Sequence, residues 1–414
     1  MKDSLDSEHV FFSTENGKIK GARPSSTNLP KKFSDVNPRA LARALELERQ
    51  VSPEVFGDWN YDILAVKGPD EFALVFKLFA PHLDAFSIPR ERFFALLNGL
   101  KYSYNKNGNS FHNFTHGISV AFSANYFLSR LPVLNSKLEK HLQFAFILAS
   151  LAHDVGHTGK NNNYEINSRS KLALRYNDRS PLEQHHLAKL FSLVFKHQIN
   201  IFEGFSPENF NEMRHTIIEC VLATDMKVHF SLLSKFEALN QDKPSPGDAF
   251  KESKELLLCM LIHAADISGS AREIATAAKW SALVAEEFTN QYQLELEKKL
   301  PVTSYFKDLH IPVNFYKSEL GFLNFIVKPL YQSLKVFDFD FGEVGNWDAT
   351  KKTSLVLCSR EAENGPEERN EASGSARNPF FEIMGEIDKN ITYYERLLEE
   401  TNLDAGKTPK TKAG

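Results

Sequence analysis

Apolar residues recur along this chain at helical spacing from about residue 38 onward. PRALARALELERQ (38–50), PDEFALVFKLFAPHL (69–83) and PRERFFALLNGLKYSY (89–104) each start at or just after a proline, which a helix accepts in its first turn. FTHGISVAFSANYFLSRL (114–131), SKLEKHLQFAFILASLAHD (136–154), EQHHLAKLFSLVFKH (183–197), SPENFNEMRHTIIECVLATD (206–225) and VHFSLLSKFEAL (228–239) continue the series. It closes with DAFKESKELLLCMLIHAADIS (248–268), AREIATAAKWSALVAEEFTNQYQLELEKK (271–299) and ELGFLNFIVKPLYQSLKVF (319–337). Period-two alternation is scarcely seen, so the expected class is all-α and multi-helical. Residues 1–37 are polar and read as a disordered tail. Residues 341–378 are charged, rich in small residues and poor in anchors, so they read as a flexible insertion. PFFEIMGEIDKNITYYERLLEE (379–400) is amphipathic and should pack back on the body, leaving 401–414 as a frayed end.

Composition narrows the picture only a little. With 42% hydrophobic and 25% charged residues, the 414-residue chain is ordinary globular material. A net charge of −4 gives no reason to expect nucleic acid or an anionic membrane as partner. No apolar run reaches the ~18 residues of a spanning helix, and MKDSLDSEHVFF lacks the layout of a signal peptide. Cys220, Cys259 and Cys358 have no short spacing, which excludes a disulfide framework or thiolate zinc site and suits a reducing, cytoplasmic setting.

The chemistry collects around LASLAHDVGHTGKNNNYEI (148–166). An apolar helix ends in His153 and Asp154, and His157 follows four residues after His153, which on a helix returns it to the same face. Gly156, Gly159 and Lys160 with three asparagines then open a polar loop. Imidazole and carboxylate at the end of a buried helix can hold a metal in a dry pocket. Other segments supply similar groups: FHNFTHG with His112 and His116 at i and i+4, LEQHH with Glu183, His185 and His186, and LIHAADIS with His263 and Asp266. VLATDM adds Thr224 and Asp225 at a polar break. Singly each is weak, since an HxxxH pair is more often a solvated face; their concurrence at apolar helix ends carries the weight. Nitrogen and oxygen ligands without thiolate suit Zn²⁺ together with Mg²⁺ or Mn²⁺.

The order HNxxH … HDxxHxGxxN … LExHH … ATDM … HAADIS … GF resembles the class I 3′,5′-cyclic-nucleotide phosphodiesterase catalytic domain, within the HD metallophosphohydrolase superfamily. The likeness covers roughly residues 55–340, opens at WNYDIL (59–64), and includes HDVGHTGKNN, which matches the family signature throughout. It implies a compact all-α fold of about 16 helices, a catalytic domain formed by 38–340 plus 379–400, and termination of cyclic-nucleotide signalling. By position, it implies that His116, His153, Asp154 and Asp266 hold a tightly bound zinc. Asp154 would bridge to a second ion, Mg²⁺ or Mn²⁺, whose remaining ligands are mostly waters oriented by His157, Glu183 and Thr224. His112 matches the general acid that protonates the leaving O3′, a natural role for imidazole near neutral pH. The ions would activate water and take up charge on the phosphoryl oxygens.

In the family a glutamine just before a Gly-Phe pair reads the purine edge, and the phenylalanine stacks on the ring. Here SELGF (318–322) places Phe322 at the stacking position, with Val284 and Phe288 as the opposite apolar wall, but Glu319 at the glutamine position. An ionised carboxylate only accepts hydrogen bonds, which matches guanine N1–H and N2–H₂ and mismatches the adenine N1 lone pair. Gly269 stands where cAMP-selective members tend to carry Asn. Both features lean toward cGMP. A protonated Glu319 acting like glutamine, or one turned away, would leave dual use or cAMP preference open. The expected partner is a small cyclic nucleotide, and a homodimer is left open. The alternatives are another HD-type phosphohydrolase and a catalytically inactive cyclic-nucleotide-binding module.

Overall fold

The computed structural model describes residues 12–15, 18–21, 36–196, 199–241, 249–337 and 378–407. The body is all-α. It opens with α1 (Pro38–Glu48) and α2 (Pro69–Ala85), each with proline in its first turn. Between them Trp59 is buried against Tyr126 and Phe127, and its indole N–H donates to the Ala271 carbonyl at 2.8 Å. α3 (Arg90–Asn105), α4 (Phe114–Arg130), α5 (Pro132–Lys137) and α6 (Lys140–Ala152) follow. In α6 every residue from Leu142 to Ala152 is buried, so it is the central helix of the core. Its two polar members are satisfied locally: Gln143 Nε2 donates to the Leu138 carbonyl at 2.8 Å, and Ser150 Oγ donates to the Phe146 carbonyl at 2.9 Å.

Short α7 (Asn162–Asn167) and α8 (Lys171–Tyr176) lead to α9 (Pro181–Lys196), α10 (Pro207–Leu222), α11 (His229–Gln241) and α12 (Ala249–Asp266). α4, α10 and α12 pack on α6. α13 (Ile274–Glu297), α14 (Pro312–Phe322) and α15 (Lys328–Val336) form the second side of the molecule. α16 (Phe380–Lys407) returns to the same core, with Phe380, Ile383 and Ile387 fully buried. Each such side chain contributes about 1.5–3 kcal/mol on burial.

Several expectations need amendment. The stretch 319–337 is not one helix. α14 begins earlier, at Pro312, and a π-helical turn (Leu323–Val327) separates it from α15. Pro329 has no N–H to donate and its ring crowds the carbonyl four residues back, so the ladder loosens, with Lys328 N–H reaching the Leu323 carbonyl. α7 and α8 lie where the sequence suggested a loop; they start on asparagine and serine caps, Asn161 and Ser170. α16 continues through Lys407, so residues 401–407 are helical rather than frayed; Thr401 donates to the Leu397 carbonyl. Within the expected tail, β1 (Phe12–Glu15) pairs antiparallel with β2 (Lys18–Gly21), Glu15 opposite Lys18. The two residues between the strands are Asn-Gly in sequence, the dipeptide that favours tight hairpins. The rest of 1–35, the insertion assigned to 341–378 up to residue 377, and 408–414 lie outside the described residues. No helix among the described residues is long and apolar enough to cross a membrane.

Candidate active site

Three helix ends meet at one point. Asn113 caps α4, accepting from Thr115 N–H at 3.0 Å, which places His116 in the first turn of that helix. α6 ends at Ala152. Its end is held by Tyr104 of α3, whose hydroxyl donates to the Leu151 carbonyl at 3.0 Å and accepts from Asp154 N–H at 3.1 Å. Gly117 permits this approach: a Cβ there would lie 2.6 Å from the Leu151 oxygen. α12 brings Asp266 at its last residue.

The side chains converge accordingly. His116 Nε2 lies 3.2 Å from His153 Nε2 and 3.0 Å from Asp266 Oδ1, while His153 Nε2 lies 3.1 Å from both Asp266 Oδ1 and Asp154 Oδ2. His116 Nε2 to Asp154 Oδ2 is 3.4 Å. All four ligand atoms fall within 4.8 Å of one another. A tetrahedral ion with bonds of about 2.0–2.1 Å has ligand–ligand edges of roughly 3.3 Å, so the residues fit a zinc-type ion. The tautomer fits as well. His153 Nδ1–H donates to the Ser150 carbonyl at 2.9 Å, which leaves its Nε2 lone pair facing the cluster. Burial opposes charge on Asp154 and Asp266, but the neighbouring histidines prevail and hold both carboxyls below their usual range.

A second group lies beside the first. His112, expected on one helical face with His116, instead precedes the α4 cap, its ring edge-on to that of His116 at 5.8 Å. Its Nδ1–H donates to Glu287 Oε2 of α13 at 2.6 Å, and Glu287 Oε1 accepts the backbone N–H groups of Phe111 at 2.6 Å and His112 at 2.9 Å. Burial opposes the charged His112, yet the Glu287 carboxylate overrides it and raises the imidazole pKa; burial likewise opposes charge on Glu287, and His112 pulls it down to about 2. His157, also expected on a helical face, sits in a turn past the end of α6, where Gly156 takes φ +82°. Its ring stacks on His112 at 3.9 Å, and burial lowers its pKa, with the His112 charge adding to the effect.

His186 of α9 joins Asp154 and His157. Its Nδ1–H donates to the Val155 carbonyl at 3.0 Å, and its Nε2 lies 3.4 Å from Asp154 Oδ1. His185 is packed against Gly156. Glu183 accepts from Asn162 Nδ2 at 3.1 and 2.9 Å, and burial, then Asp225, pushes its carboxyl up to about 8. Thr224 is buried and donates to the Val221 carbonyl at 2.7 Å. His263 is apart from the quartet: its Nδ1–H donates to the Ala223 carbonyl at 2.8 Å and its Nε2 meets His229 Nδ1 at 2.9 Å.

α13 and α14 form the adjoining wall. Ser281, Val284 and Phe288 lie on one face of α13. Ser281 Oγ donates to Glu319 Oε2 of α14 at 2.6 Å, and burial pushes the Glu319 carboxyl up to about 7. Phe322, three residues on, is half-buried at the end of α14, as is Val284 on α13, while Phe288 stacks on Phe306 at 3.9 Å. Gly269 faces Trp280, whose Cγ would be 3.1 Å from an added Cβ.

A family model described as 3′5′-cyclic nucleotide phosphodiesterase matches residues 111–344, more than half the chain. The chain belongs to that family. It is 34% identical over 358 residues to the human dual specificity calcium/calmodulin-dependent 3′,5′-cyclic nucleotide phosphodiesterase 1B, covering 82% of this chain and 61% of that protein. It is 35% identical over 272 residues to a probable 3′,5′-cyclic phosphodiesterase, pde-6, of Caenorhabditis elegans, covering 60% of this chain and 35% of that one. The chain thus spans between about a third and three fifths of these relatives' lengths. Among solved structures, the phosphodiesterase domain of the RhoPDE fusion protein from the choanoflagellate Salpingoeca rosetta aligns with TM-score 0.70 at 27% identity, over 86% of this chain and 99% of that one.

Glu287, Tyr104 and Gln291 escape a reading of motifs. The signal available for Glu287 and Gln291 was a polar residue recurring every fourth position on an otherwise packed face of α13.

Proposed function

We propose that this chain hydrolyses the 3′-ester bond of 3′,5′-cyclic nucleotides to the 5′-nucleoside monophosphate, and so terminates a cyclic-nucleotide signal, with cGMP the favoured substrate. The observation that carries this reading is the placement of the His116–His153–Asp154–Asp266 quartet beside an imidazole already paired with a carboxylate, His112 with Glu287.

His116, His153, Asp154 and Asp266 would hold zinc, and Asp154 would be shared with a second ion, Mg²⁺ or Mn²⁺, flanked by His157, His186, Glu183 and Thr224. When bound, the ions supply Lewis acidity that activates water and neutralises the phosphate. The chain's own residues do the rest. Glu287 holds His112 by Nδ1–H, so Nε2 is the end that gives its proton to the departing O3′. The bond between O3′ and phosphorus breaks as that proton arrives, and the 5′ ester stays intact. Phe322 would stack on the base, with Val284 and Phe288 forming the opposite wall.

Glu319 sets the base preference. Ser281 uses one lone pair of Oε2, and the remaining lone pairs of the carboxylate would meet the purine edge. With its carboxyl raised to about 7 by burial, Glu319 is protonated below that pH and can donate as well as accept. Above it the group only accepts, which matches guanine and mismatches adenine at a cost of about 1–3 kcal/mol, roughly ten- to a hundredfold. The cGMP/cAMP ratio of kcat/KM is therefore expected to rise from about pH 6 to about pH 8 in the native chain and to stay flat in Glu319→Gln. A ratio that is unchanged by that substitution would remove Glu319 from base selection.

Product analysis tests the reaction itself. The 5′-monophosphate is expected from cGMP and cAMP; release of phosphate from nucleotide monoesters alone would favour another phosphohydrolase, and binding without turnover an inactive module.

A further inference from the structure

Three buried polar residues occupy successive turns on one face of α13: Glu287, Gln291 and Glu295, each no more than 5% exposed. Each grips a different segment. Glu287 holds Phe111 and His112, while Glu295 accepts from Thr303 N–H at 2.6 Å and Thr303 Oγ at 2.9 Å. Gln291 lies between them. Its Nε2 donates to Glu295 Oε1 at 2.6 Å, and because that carboxylate only accepts, the amide orientation is fixed. Its Oε1 is thereby presented to Asn161, whose backbone N–H it accepts at 2.8 Å, and Nε2 also donates to Asn161 Oδ1 at 3.0 Å.

This clasp closes a short loop. At the other end the His157 carbonyl accepts from Asn107 Nδ2 and Asn109 Nδ2, both at 2.9 Å. Between the two anchors Gly159 takes φ +74°, and a Cβ there would lie 2.7 Å from Asn109 Oδ1. In this conformation Gly159 N–H donates to His157 Nδ1 at 3.0 Å. A backbone N–H can only donate, so Nδ1 carries the lone pair and the neutral ring carries its proton on Nε2.

We propose that Gln291 is a positioning residue: by holding Asn161 it sets the loop whose Gly159 N–H keeps His157 in the Nε2–H tautomer beside Asp154 and His186. This rests on the site assigned above, but the tautomer is a property of the substrate-free protein and can be read without turnover. His186 has the opposite arrangement, Nδ1–H to the Val155 carbonyl with Nε2 bare. The site therefore receives one imidazole donor and one imidazole acceptor side by side, a polarity that orders water in a single direction.

The test is a two-bond ¹H–¹⁵N histidine correlation spectrum of the metal-loaded protein, with the His157 signals assigned by comparison with His157→Asn. The native chain is expected to show His157 with bare Nδ1 and protonated Nε2. Gln291→Met should give a mixture of tautomers and a kcat on cyclic nucleotide lower by about tenfold, with KM within about twofold. Asn161→Ser, which keeps a cap for α7 and cuts only the side-chain half of the clasp, should shift the tautomer in the same sense to a smaller extent, and decides the matter if Gln291→Met does not fold. A native His157 protonated on Nδ1, or variants that lose stability alone with the tautomer and kcat unchanged, would overturn the proposal. A native Nε2–H signal in a chain that hydrolyses no cyclic nucleotide would uphold the positioning and sink the activity instead.

Discussion

His112 meets competing influences: burial disfavours its charge, and the Glu287 carboxylate restores it and sets its direction. A general acid works only while protonated, so turnover should fall as pH rises through the His112 pKa, which stands above the ordinary value of 6.5. Glu287→Gln removes the charge that raises it, so the alkaline limb of the kcat profile should move to lower pH, with kcat at neutrality reduced about a hundredfold. A limb that stays in place would assign the proton to another group. At this scale the convergence of His116, His153, Asp154 and Asp266 was legible, because all four lie in spaced motifs at helix ends. Glu287 was not: the four-residue recurrence of buried polar residues on α13 marks a face, but its partner His112 lies 175 positions away in the chain. His112 was expected on a face shared with His116, but α4 starts only after the Asn113 cap, so His112 lies just outside the helix.

At the scale of elements, the site depends on where helices stop. Tyr104 closes the end of α6 by serving both the Leu151 carbonyl and Asp154 N–H. Tyr104→Phe leaves those two buried backbone groups without their partner, at about 1–3 kcal/mol, and a lowered melting temperature with weaker metal retention should follow. Retention equal to that of the native protein would show that the helix end holds itself. Long periodic helices such as α6 and α13 were readable from spacing alone. The break at Leu323–Val327 was not, because one proline in a strongly apolar stretch can kink, end or widen a helix. Gly269 belongs to this scale too. Gly269→Asn would drive Trp280, which contacts the Phe111 ring edge-on at 5.6 Å and lies near His116, into the site; a loss of about 1–3 kcal/mol in stability is expected by denaturant titration.

Across the whole molecule, α16 fastens the second side to the first. Asn390 Nδ2 donates to the Ser270 carbonyl at 3.0 Å and the Arg272 carbonyl at 2.8 Å, just beyond Asp266 in the chain, while Phe380, Ile383 and Ile387 complete the core. Ending the chain at residue 378 should therefore cost both solubility and the cooperative unfolding transition, followed by circular dichroism; a soluble, cooperatively folded fragment would contradict that role. The family resemblance runs through this body and supports one central claim, that the convergent quartet and His112 form a cyclic-nucleotide hydrolase. The most direct measurement is hydrolysis of cGMP and cAMP in parallel, with Mg²⁺ and with Mn²⁺, by the native chain and by a His153→Ala/Asp154→Ala variant shown to be folded. Turnover to the 5′-nucleotide, favouring cGMP, is expected in the native chain, with its loss in the variant. No turnover of either nucleotide with either ion, or turnover that survives in the variant, would contradict it.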